Sequence, residues 1–240
     1  VLLNGEDHVR IQVLCNGMDI QSCFKKANEI DDYIDAHFDY AFDEKYGYKT
    51  TFPTNTGTGM KAGYTLHLPS LSDARRLNDI SAELGRFGLK FRTVYGDGQN
   101  GYGNLYQIST QKTLGQDERE VIKDLDDIVL QIVNQEKEQR EHFYKKDKIQ
   151  MDDEIYKSYG VLKYARKLSL KDSMVLISEL MTGISLGVLQ FAHNGRYNIN
   201  ELIMDIQPAV LRQNSGKAMS VAETDVLRAE YIRKYLPEII

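Results

Sequence analysis

Residues 52–68, FPTNTGTGMKAGYTLHL, pass from a loop of small residues into a segment where polar and apolar side chains alternate. The alternation over residues 61–68 predicts a β-strand, because side chains two positions apart share one face of a strand. The small residues before it allow backbone N–H groups to approach an anion, and Lys61 adds positive charge. The spacing differs from a Walker A loop, which a helix follows. An ordinary loop between strands is the alternative interpretation.

Working outward, the same period-two pattern predicts further strands at residues 1–3, 8–14, 89–95 and 104–109. Apolar residues at helical spacing predict helices that begin near Asp19, Leu71 and Asp117. The second of these extends to Phe87. The third continues into residues 136–148, a strongly charged stretch that we interpret as a solvated helix end.

Beyond this stretch the alternating segments stop. Helices are predicted to begin near Ser169, near Asn198, and at Ser220, which forms an S-x-x-E capping box with Glu223. The fold class is therefore predicted as α+β, with an antiparallel sheet flanked by helices over residues 1–146, followed by a small all-helical domain over residues 150–240.

Composition narrows the functional class. The chain has 240 residues, of which 42% are hydrophobic and 27% charged, as in ordinary globular proteins. Its net charge of -5 argues against a broad basic nucleic-acid face. Two cysteines make no disulfide framework and suit a reducing compartment such as the cytoplasm. Residues 173–191 are the most apolar stretch, but Glu179 and two glycines argue against a membrane span. The first residues, VLL, resemble the middle of a strand, so we expect a later part of a longer protein.

Two more segments carry candidate functional groups. Residues 4–10, NGEDHVR, hold two carboxylates, an imidazole and a guanidinium between two short strands. Residues 92–98, RTVYGDG, place an arginine at a strand end before a glycine-rich loop that is expected to be flexible. On spacing alone, residues 4–10 are better interpreted as a polar hairpin with a surface ion pair, because acidic turns are common. For residues 92–98 the alternative is a hairpin turn with a surface arginine. Together with residues 52–62, these segments place Arg10, Lys61 and Arg92 beside loops. Phosphoryl transfer requires positive charge of this kind to stabilise the phosphate oxygens.

In these three segments the chain resembles the ATP:guanido phosphotransferase family, and especially its bacterial branch, the protein arginine kinases. The family motif N-E-E-D-H-[LI]-R is matched by residues 4–10, and C-P-[ST]-N-x-G-T-G-[LM]-R-A by residues 52–62. The branch's Y-G-E-G and G-N-x-Y-Q-I-S-N strings are similar to residues 95–98 and 103–109. Its C-terminal R-D-x-x-R-A signature aligns with residues 224–229, TDVLRA. The likeness covers nearly the whole chain.

The resemblance implies transfer of the γ-phosphoryl group of ATP, with Mg²⁺, to the guanidinium of an arginine side chain in another protein. It assigns Glu6 to orienting the guanidinium and taking its proton, and Asn100 to the position of a second orienting carboxylate. It assigns Asp225 and Arg228 to a phosphoarginine pocket, and no residue as a metal ligand. The implied nucleotide contacts are Arg10, Lys61, Ala62, Gly63, Tyr64, Thr65, Arg92, Thr93, Val94, Tyr95, Gly96 and Asp97.

Several positions depart from the family pattern. Gly5 replaces the first glutamate of its pair, Phe52 stands at the place of a substrate-site cysteine, and Lys61 replaces a phosphate-binding arginine. Asn100 is not a carboxylate, and Thr224 is not the first arginine of the pocket. A catalytically weakened or inactive paralogue that binds nucleotide or phosphoarginine is therefore the alternative to an active kinase. An unrelated α+β domain is a third interpretation, which the family order of the motifs disfavours.

The resemblance also implies partners. These are arginine-containing protein substrates, a zinc-binding activator protein, a Clp-type protease system connected with stress response, and a second copy in a homodimer. Neither direct nucleic-acid binding nor a membrane is expected, and the implied location is cytoplasmic.

Overall fold

The computed structural model describes residues 1–97, 100–192 and 198–240. Its strands are β1 (Leu2–Leu3), β2 (Val9–Arg10), β3 (Phe42–Asp43), β4 (Gly47–Tyr48), β5 (Gly63–His67), β6 (Leu89–Thr93), β7 (Gly96–Asp97), β8 (Asn100–Gly101) and β9 (Leu105–Thr110). Its helices are α1 (Ile20–Asp35), α2 (Pro69–Asp73), α3 (Leu77–Arg86), α4 (Glu118–Lys146), α5 (Lys148–Tyr164), α6 (Leu170–Ser185), α7 (Ile199–Asp205), α8 (Pro208–Ser215) and α9 (Val221–Tyr235). The predicted α+β class with small antiparallel sheets is confirmed.

The chain forms two compact units, and each unit is built from three separate segments of the sequence. The first unit comprises residues 1–66, 75–92 and 106–135, and the second comprises residues 67–74, 93–105 and 136–240. Among the described residues, no helix combines the length and the apolar character that crossing a membrane requires.

A three-stranded sheet in the order β5–β9–β6 organises the first unit. Thr110 N donates to Ala62 O at 2.9 Å and Gln111 N donates to Gly88 O at 3.2 Å, so β9 lies in the middle. The alternation predicted from the sequence is present: Tyr64 and Leu66 are buried, whereas their neighbours Gly63 and Thr65 are exposed. A Cβ on Gly63 would lie 2.7 Å from the carbonyl oxygen of Ile108, so only glycine fits there.

The buried face of the sheet packs with helices of the first unit. Buried side chains lie on one stripe of α4, at Ile122, Leu125, Val129 and Ile132. Their spacing of three and four residues is that of a helix with a single apolar face. The Tyr64 hydroxyl donates a hydrogen bond to Asp126 of α4, which ties the helix to the sheet.

The predicted helix over residues 71–87 is two helices. α2 ends at Asp73 and α3 begins at Leu77, because Arg75 between them has a φ of 57°, in the left-handed region that a continuous helix excludes. The expected loop of residues 96–103 also differs: Gly96 pairs with Gly101 and Asp97 with Asn100 in a short antiparallel hairpin.

The helix starts follow the predicted caps. Asp19 accepts from Ser22 N at the start of α1, Ser169 accepts from Asp172 N at the start of α6, and the Ser220–Glu223 capping box opens α9. In the second unit, α5, α6, α7 and α9 surround a core whose fully buried members include Leu162, Ile177, Leu180 and Ile232.

The prediction of a solvated end for α4 is wrong at two charged residues. Glu136 is 2% exposed and accepts from Ser70 N at 3.1 Å and Leu71 N at 2.9 Å, so its carboxylate caps the start of α2. Arg140 lies one turn later, pairs with Glu136 at 3.1 Å and donates to Ser185 of α6. Charge alone does not reveal this role, because a capping carboxylate and a solvated one look the same in sequence.

A second cluster of polar side chains in the second unit consists of His67, Asn104 and Ser178. Asn104 Nδ2 donates to Ser178 Oγ at 3.1 Å, and that hydroxyl lies 2.8 Å from Nε2 of His67. Burial, reinforced by the charge of Arg140, lowers the pKa of His67 to about 3, from an ordinary value of 6.5. The imidazole is therefore neutral in the folded chain.

This pKa shift predicts acid sensitivity. Between pH 6.5 and about 3 the unfolded chain binds a proton on His67 that the folded chain does not, so this contribution to stability is complete above pH 6.5 and is lost as the pH falls. Between pH 7 and pH 5, the free energy of unfolding measured in urea should fall by roughly 1–2 kcal/mol more for the wild type than for His67→Gln. The exposed His142→Gln control should keep the wild-type pH dependence, and an unchanged slope in His67→Gln would contradict the assignment.

Candidate functional site

The first candidate segment is the turn of an N-terminal hairpin. β1 and β2 pair antiparallel, with Leu2 opposite Arg10 and Leu3 opposite Val9. Asn4 N donates to His8 O at 2.9 Å, and Asn4 has a φ of 56°, which its short polar side chain tolerates. The turn carries Glu6, whose carboxylate lies 3.6 Å from the guanidinium of Arg10. Both side chains are exposed to solvent, so this ion pair contributes little stability and leaves both groups accessible.

Asp7 joins this turn to the second candidate segment. Its Oδ1 accepts from the backbone N–H of Thr51 at 3.0 Å, and its Oδ2 accepts from Asn55 Nδ2 at 2.9 Å. The carbonyl oxygen of the same Asn55 side chain accepts from Lys61 Nζ at 2.6 Å. The structure therefore brings together two motifs that are more than 40 residues apart, and it does so through an aspartate to which sequence reasoning assigned no role.

The loop of small residues is held in one conformation. Gly57 has a φ of 115°, and a Cβ there would lie 2.2 Å from the carbonyl oxygen of Thr113. Thr58 N donates to that same carbonyl at 2.9 Å, and the Thr113 hydroxyl donates to Thr56 O at 2.7 Å. The loop glycines thus allow a close approach to the segment after β9.

For residues 55–58 and 60, these contacts argue against the prediction that the loop's backbone N–H groups bind an anion. The N–H groups of residues 55–58 donate to carbonyl oxygens within the protein, and Met60 N donates to the Thr58 hydroxyl. A backbone N–H already donated inside the fold offers nothing to a phosphate. Positive charge at this site comes from side chains instead.

The exposed face of the sheet carries two further cationic side chains. Lys90 and Arg92 lie on the same exposed face of β6, as their spacing predicts. Arg92 Nε donates to Gln107 Oε1 of β9 at 2.7 Å, which fixes the direction of the guanidinium. Gln107 was missed by the sequence reasoning, although the alternation of β9 places it on the polar face.

The predicted nucleotide contacts of residues 61–65 separate onto two faces. Lys61, Gly63 and Thr65 are exposed, whereas the Tyr64 side chain is buried and bonded to Asp126, and Ala62 bonds through its backbone to Thr110. Burial, together with the hydrogen bond to Asp126, raises the pKa of Tyr64 well above its ordinary value. Tyr64 therefore takes part in the packing of the sheet.

The predicted contacts after Arg92, at residues 93–97, belong to the second unit. Tyr95 is half-buried there: its ring stacks on Tyr102 with centroids 6.1 Å apart, and its hydroxyl accepts from Gln207 Nε2 at 3.3 Å. Burial and then the neighbouring Tyr102 raise the pKa of Tyr95. Thr93 is partly buried, whereas Val94 and Gly96 are exposed. The side chains of Asp97 and Asn100 lie outside the described part of the chain.

The residues assigned to the phosphoarginine pocket lie in α9. Arg228 is 1% exposed and donates to Asp225 Oδ1 at 2.6 Å, to Leu168 O at 2.9 Å and to Ile206 O at 3.0 Å. This guanidinium therefore connects the helix to two preceding segments of the second unit. Sequence reasoning missed Arg212 of α8, whose Nε lies 3.5 Å from the hydroxyl of Thr224.

Two family models match the chain. Residues 1–139 match the ATP:guanido phosphotransferase C-terminal catalytic domain, and residues 148–239 match the protein-arginine kinase McsB C-terminal domain.

Curated relatives match both parts together. The protein-arginine kinase of Bacillus subtilis (strain 168) is 41% identical over 98% of this chain and 64% of its own length. That of Clostridium kluyveri (strain NBRC 12016) is 40% identical over 98% of this chain and 68% of its own length. This chain thus spans about two thirds of the length of these relatives.

Among solved structures, the duplicated taurocyamine kinase from Schistosoma mansoni with bound transition state analog components is 30% identical. The match covers 48% of this chain and 16% of that one, with a TM-score of 0.42. The family models and the curated relatives carry the assignment: the chain belongs to the ATP:guanido phosphotransferase family, in the branch of the protein-arginine kinases.

Proposed function

We propose that the protein transfers the γ-phosphoryl group of ATP to guanidinium groups of arginine residues in proteins. The observation that carries the proposal is the connection from Asp7 through Asn55 to Lys61, which joins the turn bearing Glu6 and Arg10 to the start of the sheet. The Glu6 carboxylate and the cations of Arg10, Lys61 and Arg92 are exposed in the same compact unit.

Glu6 has the chemistry that a guanidinium acceptor needs. With a pKa above about 12, a guanidinium has no free electron pair to attack phosphorus until a base removes a proton. In the proposed step a guanidinium nitrogen attacks the γ-phosphorus, the bond from that phosphorus to the bridging oxygen of ADP breaks, and the nitrogen's proton passes to Glu6. The exposed Glu6 carboxylate also matches the two parallel N–H donors on one edge of the acceptor.

The cationic side chains fit a triphosphate. Arg10, Lys61 and Arg92 offer positive charge to the phosphate oxygens, where it stabilises the charge that spreads over them during transfer. Among the described residues no group of three or more His, Cys, Asp and Glu side chains is placed to hold a metal ion. Mg²⁺ commonly keeps several waters and is bound through substrate phosphates, which fits a site whose side chains are mainly cationic. We propose ATP and Mg²⁺ as its ligands.

A regulatory module that binds nucleotide or phosphoarginine is the second candidate. It is favoured by Lys61, whose ammonium already donates to Asn55 and lacks the bidentate fork of an arginine. Losing a transition-state contact of this kind commonly costs about 10²–10³ in rate. Assays of phosphoryl transfer separate the two candidates.

The remaining assignments are proposals that rest on family membership. We propose that the division into a catalytic and a helical domain falls between residues 146 and 150, near the gap at residues 140–147 between the two matched family models. We propose that Asp225 and Arg228 belong to a phosphoarginine pocket, that Asn100 and residues 93–97 have the acceptor-binding and nucleotide-binding roles that family membership implies for them, and that the protein is cytoplasmic. The zinc-binding activator, the Clp-type protease system and the homodimer remain proposed partners.

The role of Glu6 predicts a specific loss. Glu6→Gln keeps the shape of the side chain and removes the proton acceptor, so phosphoryl transfer to an arginine-containing protein should fall by about 10²–10⁴. ATP affinity should change less than about twofold, because the cations are intact. The measurement is acid-labile phosphate on arginine, beside a nucleotide titration. Glu29→Gln, an exposed glutamate of the same unit, is the control, and activity retained by Glu6→Gln would remove Glu6 from the mechanism.

The bridging role of Asp7 predicts a loss without direct contact to the substrates. Asp7→Asn keeps one acceptor oxygen and replaces the other with a donor, so it loses the bond from either Thr51 or Asn55. Misplacing the turn that carries Glu6 should lower kcat/KM on the order of 10–100-fold, with circular dichroism unchanged. The exposed Asp39→Asn serves for comparison, and equal rates in the two variants would show that the bridge does not position the site.

A phosphoarginine pocket at α9 predicts binding that is independent of turnover. Free phosphoarginine should bind the protein in calorimetry, and Asp225→Asn should weaken that binding at least about tenfold, since the charged partner of Arg228 is lost. Wild-type affinity in a folded Asp225→Asn variant would place the pocket elsewhere.

A further inference from the structure

The two cysteines of the chain are in contact with each other in the first unit. Both are free thiols, and a side-chain hydrogen bond joins Cys23 to Cys15. Because the sequence contains two cysteines, a disulfide within one molecule can join only this pair. Cys15 is exposed, whereas Cys23 is partly buried, so an oxidant in the solvent reaches Cys15 first.

The backbone between the two cysteines turns back on itself. Gly17 has a φ of 77°, in the left-handed region that glycine adopts without strain. Two residues later Asp19 begins α1, where its side chain accepts from Ser22 N at 3.2 Å and its carbonyl oxygen accepts from Cys23 N at 3.4 Å. The cap fixes the first turn of the helix, which carries Cys23, while the turn at Gly17 connects it to Cys15.

The two thiols differ in their readiness to react. Burial, and then the hydrogen bond with Cys15, raises the pKa of Cys23 to about 11. Since the thiolate is the nucleophile, Cys23 is nearly inert toward an oxidant at neutral pH. An accessible thiol beside a second, resolving thiol is the arrangement in which a sulfenic acid is converted into a disulfide.

The segment that contains Cys15 is weakly held, whereas the start of α1 is anchored. Residues 11–19 form no helix or strand, and Leu14 within them is 90% exposed. Ile20, the first residue of α1, is buried in the core. A bond from Cys15 to Cys23 would close a loop across this segment and restrict the conformations that it can reach when it opens.

We propose that Cys15 and Cys23 form a reversible disulfide when a peroxide reaches the protein, and that this bond tethers the connection between β2 and α1 to the helix. With hydrogen peroxide, the Cys15 thiolate attacks one oxygen, the O–O bond breaks, and Cys15 sulfenic acid and one water result. The Cys23 sulfur then attacks the Cys15 sulfur, the S–OH bond breaks, and the hydroxide leaves with the Cys23 proton as a second water.

The oxidation is balanced and can be reversed. Two thiols lose two electrons in total, and one peroxide is reduced to two waters. Two equivalents of a low-molecular-weight thiol restore Cys15 and Cys23 by exchange through a mixed disulfide. The inference goes beyond the proposed function and does not depend on it.

The test treats the intact, reduced protein with hydrogen peroxide and follows both thiols by alkylation and mass spectrometry. The wild type should lose both thiols together as a monomer, yield a peptide that links Cys15 to Cys23, and regain both thiols with dithiothreitol. Cys23→Ser should stop at a Cys15 sulfenic acid that dimedone traps. Cys15→Ser should lose its remaining thiol at least about tenfold more slowly than Cys23→Ser does. Separate oxidation of the two cysteines to sulfinic acids, or a disulfide between two molecules, would overturn the proposal.

A relocated thiol is the matched control. The double variant with Cys23→Ser and Gln21→Cys keeps two cysteines but moves one by two helix positions, about 200° around α1. It should form the internal disulfide at least about tenfold more slowly than the wild type, because the thiols no longer meet. An equal rate would show that the observed contact does not direct the reaction.

Proteolysis tests the tether itself. Leu14 and Met18 are exposed sites for chymotrypsin. Cleavage at these residues should slow at least about threefold in the oxidised wild type and recover on reduction. Cys15→Ser treated with the same peroxide should show no such change. If the disulfide forms and cleavage of the wild type is unaltered, the tethering role is wrong.

Discussion

The site depends on one carboxylate that is not a proposed participant in the chemistry. Asp7 accepts hydrogen bonds from the Thr51 backbone and from the Asn55 side chain, and so holds the N-terminal turn against the loop that leads into β5. A charged acceptor strengthens both bonds relative to neutral ones. Without it, a two-residue pairing of β1 with β2 would have to position Glu6 alone, and isolated hairpins of that length are marginal in water.

The sheet adds a second constraint. Because side chains alternate, packing Tyr64, Leu66 and Ile108 on the inside forces Gly63, Thr65 and Gln107 toward the outside. One polar surface thus arises from the same pattern that builds the core. In the loop before β5, the amides of residues 55–58 and 60 donate within the fold, so the positive charge of the candidate site comes mainly from long side chains.

Local rules in the sequence were sufficient for much of this. Interactions within a few residues determine the caps at Asp19, Ser169 and Ser220. Local patterns also predict the strand that follows Lys61 and the α+β class, so all of these features can be predicted from the sequence. Long-range partners were not accessible in this way. Nothing near Glu136 in sequence indicates that Ser70 and Leu71 need an acceptor, and nothing near Arg75 indicates its left-handed backbone. The partners of Asp7 lie 44 and 48 residues away and were equally inaccessible. For Tyr64 two predictions conflict: the alternation of the strand predicts a buried side chain, whereas the family resemblance predicts contact with the nucleotide.

The interleaving of the two compact units bears on how the polypeptide acquires its structure during synthesis. Residues 67–74 and 93–105 emerge early, yet their partners are late: His67 meets Ser178, Tyr95 meets Gln207, and Gly103 lies against Met174. The second unit therefore cannot close until more than 100 further residues have left the ribosome. Until then the apolar and polar groups of these early segments lack their partners in the second unit. A product truncated near residue 150 would lack the greater part of the core of the second unit.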